Sequence, residues 1–131
     1  MKATEIIRAA LTRLGVYATG EEVPADDAIP ALRVLNDLLE QYRLQPLMRL
    51  PITLELPLKP HDEVLLTSNL NRVVITGLAI ELGADYGIEP SGSVMRSHQS
   101  ALAALKLSNG VMLIKESDLS HGKGGDFYAS N

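Results

Sequence analysis

The stretch LNRVVITGLAIELGADYGIEPSG (residues 70–92) is apolar on almost every side of a helical wheel and then stops abruptly. Leu70, Val73, Val74, Ile75, Leu78, Ala79, Ile80 and Leu82 leave only scattered polar positions, so a helix over 69–86 must be central or sandwiched. The stop is built from glycine and proline. Asp85 and Tyr86 finish the helix, Gly87 takes the left-handed C-terminal position, and Pro90 prevents continuation. Ser91 or Ser93 then caps a following helix. A helix hairpin with an apolar first arm therefore organises the chain, and this turn sets the direction in which everything C-terminal to it leaves.

Working outward, Thr4-Glu5 as an N-cap, Ile6, Ile7, Ala10, Leu11 and Leu14 at helical spacing, and Gly15 as a terminator predict a first helix over 4–14. Pro24-Ala25-Asp26-Asp27 suits the positive end of a helix dipole and opens a second helix over 25–43. Its stripe is Ala28, Leu32, Leu35, Leu39 and Tyr42, with Arg33, Asn36, Asp37, Glu40 and Gln41 opposite; Pro30 falls in the early turns, where a missing N–H matters least. Beyond the turn, Met95, His98, Leu102 and Leu105 predict a fourth helix over 93–108, ended by Asn109-Gly110.

Between the second and third helices the character changes. Prolines at 46, 51, 57 and 60 exclude a helix, while Ile52, Leu54, Leu56 and Leu58 alternate with Thr53, Glu55 and Pro57, the period of a strand. Proline at this density confines the segment to an edge strand, a hairpin arm or an extended loop. It is expected to project at about 44–62, where an edge could pair with a neighbouring subunit. The last residues, VMLIKESDLSHGKGGDFYASN (111–131), begin with Val111, Met112, Leu113 and Ile114 and end in glycine and small polar residues around Phe127 and Tyr128. They predict a flexible C-terminal tail, with Phe127 and Tyr128 as an anchor for a partner's pocket; an end that docks nowhere is the plainer alternative. The expected fold is mainly α: a small four-helix bundle over 1–110, a Pro-rich extended or β-hairpin segment between helices two and three, and an extended tail over 111–131. Too few elements are available to cover the third helix, so Val73 and Ile80, with Leu54 and Leu56 of the proline segment, are the expected subunit interface.

Composition narrows the chemistry. The chain has 131 residues, enough for one domain with a modest core, and that core is aliphatic, because there is one Phe, no Trp and four Tyr. No aromatic-lined cofactor pocket is suggested, and no cofactor is expected. A net charge of −4 opposes general nucleic-acid binding, and the absence of cysteine removes disulfides and thiolate metal sites. No charged-then-apolar leader opens the sequence and no apolar run approaches membrane length, so a soluble protein folding inside a cell is expected.

His61, His98 and His121 have no carboxylates at ligand spacing, which argues against zinc. HGKGGDFY lacks the spacing and hydroxyl residue of a phosphate loop. Ser97, His98 and Asp85 can be written as a triad, but no nucleophile elbow surrounds the serine. The acids Glu21, Glu22, Asp26 and Asp27 could serve as acid and base, yet helix N-terminal placement explains the latter pair more simply. No catalytic or metal-binding residue is assigned, and the protein is not expected to be an enzyme.

ATEIIRAALTRLGV (3–16), AIPALRVLNDLLEQY (28–42), LNRVVITGLAIELGADYGIEPS (70–91), SALAALKL (100–107) and GGDFYASN (124–131) together resemble the head-to-tail adaptor proteins of tailed phages. That family is also called head completion, tail accessory or packaged-DNA stabilisation protein. The similarity covers about residues 3–108 and the tip of the tail, and it lies in the order and spacing of elements rather than in a single motif. It implies a helical subunit of a ring, commonly of twelve copies, that binds the portal protein after DNA packaging. It also implies a tail reaching toward the portal, a ring that continues the DNA channel without specific DNA binding, and a platform for the next tail component, a nozzle or stopper. The implied location is the head–tail junction of the virion, after assembly in the host cytoplasm. The tail here is short beside those of longer members. A different class, a small helical dimeric regulator or antitoxin-like DNA-binding protein joined through the third helix, is the alternative, although Arg8, Arg13, Arg33, Arg43 and Arg49 are too dispersed to make one basic face.

Overall fold

A computed structural model describes the backbone of residues 1–121 and the side chains of residues 1–110. Four helices follow in order, α1 (Ala3–Leu14), α2 (Ala25–Arg43), α3 (Ser68–Tyr86) and α4 (Gly92–His121), with a short 3-10 turn at Pro46–Met48. The protein is mainly helical, a small helical bundle, as its periodicity predicts. Among the described residues there is no strand, only one isolated antiparallel bridge between Lys2 and Glu63.

α3 is the hub. Every residue from Val73 to Ala79 is buried, and α1, α2 and α4 all pack on it. Its all-round apolar character is thus used up within the chain: Ile6, Ile7, Ala10 and Leu11 of α1, Leu35, Leu38 and Leu39 of α2, and Val94, Ala101 and Leu105 of α4 supply the surrounding core. The hairpin turn forms as its residues dictate. Gly87 is left-handed at φ 64°, its N–H and that of Ile88 return to the carbonyls of Ala84 and Gly83, and Ser91 Oγ accepts from Val94 N at 3.2 Å.

α1 begins one residue earlier than its sequence signal. Lys2 stands at the N-cap, and the Glu5 side chain accepts from Lys2 N at 2.6 Å, while Thr4 lies inside the first turn. Two of the free amides of that turn are satisfied from a distance, because Ala3 N donates to Asp62 O and Thr4 N to Pro60 O.

Two expectations are corrected. Of the alternatives for the proline segment, the extended loop is the one found, not a strand or hairpin arm, and it does not project: it lies along the bundle, with Leu54, Leu58 and Val64 buried, Leu56 half-buried and Ile52 in solvent. The period of two there marks which side chains turn inward from an irregular chain, and paired contacts hold that chain down. Asn36 exchanges two hydrogen bonds with the backbone of Leu58, at 2.7 and 3.2 Å, and Arg43 donates to Leu54 O at 2.6 Å. The peptide between Leu56 and Pro57 is cis.

The second correction concerns α4, which does not stop at Asn109-Gly110 but runs on to His121, so residues 111–121 are helical rather than part of an extended tail. Gly110 does not take the left-handed conformation that would end a helix; it is buried beside Leu47, and Asn109 donates to Leu47 O at 2.7 Å. The residues that follow, Met112, Leu113, Lys115 and Glu116, have straight-chain or γ-branched side chains that favour a helix.

Candidate interaction surface

The residues expected at a subunit interface do not form one exposed face. Val73 is fully buried in the chain's own core, Leu54 is buried, and Leu56 and Ile80 are half-buried against it. Val111, Met112, Leu113 and Ile114 fall within α4, while Phe127 and Tyr128 lie outside the described residues. Apolar exposure is found elsewhere. Leu44 is 83% exposed, Ile52 fully exposed and Leu107 63% exposed. The 3-10 turn joins their segments, since Asn109 and Arg49 tie it to α4.

At that end lies a recess of about 420 Å³ lined by Arg43, Gln45, Pro46, Arg49, Leu50, Pro51 and Ile52. Arg43 is the last residue of α2, and Arg49 follows the 3-10 turn with a left-handed backbone, φ 52° and ψ 52°. The Arg49 guanidinium donates to Asn109 O at 3.3 Å, so both arginines are steered by backbone carbonyls. Two cations beside aliphatic and proline side chains suit a carboxylate or another oxyanion flanked by an apolar group. No periodicity reveals this recess, because it depends on a chain reversal between α2 and the proline segment.

A second polar cluster lies inside the bundle. His98 Nδ1 of α4 is 2.9 Å from Thr76 Oγ1 of α3, and Thr76 also lies 2.7 Å from Arg72 O. With the hydroxyl proton given to Arg72 O, the Thr76 oxygen accepts from His98. Burial pushes the His98 pKa down, against a backbone hydrogen bond at Val73 that raises it. Tyr42 of α2 reaches the same place, and burial first, then the charge of Glu81, pushes its phenol up to about 12. The triad written from sequence does not assemble: His98 is paired with Thr76, and Ser97 Oγ is 3.5 Å from Arg13. A third contact, Tyr17 Oη donating to Asp27, pins the α1–α2 linker to α2; this bond, ahead of burial, pushes the Tyr17 pKa up to about 12.

Among the described residues no group of three or more His, Cys, Asp or Glu side chains could hold a metal ion, and no helix is long and apolar enough to cross a membrane. No family model matches the chain, and no curated protein matches it.

Proposed function

We propose that this protein is a structural subunit of a ring at the head–tail junction of a tailed phage, binding the portal after packaging and connecting the capsid to the next tail component. One observation carries most of the weight. α4 is 30 residues long, about 45 Å, whereas the α3 helix it runs back along is 19 residues, about 28 Å. Since Gly110 already stands beside the 3-10 turn at the far end of the bundle, the remaining 11 residues, Val111 to His121, supply about 16 Å of helix for docking. A compact body with a long terminal arm suits a subunit that assembles rather than turns over substrate. The net charge of −4 suits a channel through which DNA slides without adhering.

The test is the mass of the purified protein alone and mixed with its cognate portal ring. The full chain is expected to add to the ring in many copies. A chain ending at Gly110 should stay folded and helical but fail to join the portal, and unchanged portal binding by that truncation would sink the docking role. A shift of DNA at moderate salt would instead favour the dimeric regulator.

A further inference from the structure

An acidic protein that gathers two arginines at one end of α2 and three exposed acids at the other has the means to bind its own copies. Arg43 and Arg49 line the recess described above; no acid lines it, and among the described residues neither arginine has a carboxylate partner. Each uses one guanidinium nitrogen on a backbone carbonyl, which fixes the side chain while its other N–H groups stay open to a carboxylate. Ile52, fully exposed, lines the same recess, and the exposed Leu44 follows Arg43 in the chain.

The opposite end of α2 is about 27 Å away along the helix. There Glu21, Glu22 and Asp26 are exposed, and Ile29 is 59% exposed. The acidic segment is held in shape, because Ala18 N donates to the Glu21 side chain at 2.7 Å, Glu21 N returns to Ala18 O at 3.1 Å, and Tyr17 is bonded to Asp27. Holding it before binding lowers the ordering cost of an interface.

We propose that these two ends bind each other between copies of this chain. Glu21, Glu22 and Asp26 of one copy set their carboxylates on Arg43 and Arg49 of the next, and Ile29 packs against Leu44 and Ile52. The two faces differ, so the contact is head-to-tail, and each added copy leaves one face of each kind free. Repetition closes a ring when the rotation per copy allows it and otherwise runs on as a filament. Closure into a ring rests on the function proposed above; the pairing of the two faces does not. Exposed ion pairs are individually weak and screened by salt, so a single contact is weak and salt-sensitive, and stability comes from closure.

Sedimentation of the full chain at low and high salt tests the contact. Self-association at low salt, weakened by added salt, is expected. The variants R43Q/R49Q and E21Q/E22Q/D26N should each lose at least about tenfold in association constant while keeping the helical circular dichroism spectrum. Mixed together they should form a heterodimer and nothing larger, because each contributes one intact face. A monomer at low salt, association indifferent to both variants, or folded variants that form no heterodimer would overturn the proposal. So would DNA binding lost in R43Q/R49Q without any self-association. Portal binding is scored separately: self-association intact but portal binding absent refutes the junction role and leaves the contact standing.

Discussion

At Gly77 three helices come together closely enough that a single carbon matters. A Cβ there would lie 2.5 Å from the Tyr42 hydroxyl and 3.3 Å from His98 Cε1. Gly77→Ala gains up to about 1 kcal/mol in helix propensity but forces Tyr42 aside, which costs about 1–3 kcal/mol in a packed core, so net destabilisation is expected in urea unfolding. Adding Tyr42→Phe removes the clashing oxygen and should recover most of the loss; no recovery would mean that the clash is not with the hydroxyl. His98 gives this junction a pH dependence. Its pKa is lowered in the fold, so its neutral form stabilises the bundle fully above pH 6.5, the unfolded value, and that contribution is lost as pH falls below it toward the folded value. The urea midpoint should drop on the acid side of 6.5, and His98→Gln should flatten that slope. Sequence showed His98 on a helical stripe, but its partner Thr76 lies 22 positions away, and Tyr42, which reaches the same glycine, lies 56 positions away; neither carries a local signal.

The elements differ in how they are held. The α3–α4 turn depends on Gly83 as well as Gly87, because a Cβ on Gly83 would lie 2.6 Å from the backbone oxygen of Ile88 and 3.3 Å from Pro90. Gly83→Ala is expected to cost about 1–3 kcal/mol, since a backbone carbonyl cannot swing away as a side chain can, and thermal unfolding would register it. The proline segment hangs on Asn36, whose two bonds to Leu58 replace those of a strand ladder. Asn36→Ala should cost about 1 kcal/mol by leaving part-buried backbone groups of Leu58 without their partner, and it should open residues 49–60 to proteolysis before the helices. Resistance equal to that of the parent protein would show that apolar burial alone holds the segment. The bounds of α2, Ala25–Arg43, were legible because its acidic start and apolar period are local properties, but its inward face was only partly so: Ala31 and Leu38 are buried with Leu35, Leu39 and Tyr42, while Ala28 and Leu32 are half-buried. The proline segment was not, since alternation of Leu54, Leu56 and Leu58 reports burial on one side without saying whether the cover is a strand or helices.

For the whole molecule, the proposed head-to-tail contact predicts self-association that is strongest at low salt, and the proposed junction role predicts that a chain ending at Gly110 keeps its helical spectrum but loses portal binding. The amino-acid sequence by itself determined the helical class, the central place of α3 and the capped hairpin behind it, because propensity, periodicity and end signals act over a few residues. Tertiary structure alone decided the rest. α3 is buried from Val73 to Ala79 by its own chain, the proline segment is laid down rather than projecting, α4 passes through Asn109-Gly110, and Arg43 and Arg49 share a recess. Each outcome turns on which distant surface meets a given residue, and the free energy of that meeting lies in contacts that no local stretch contains.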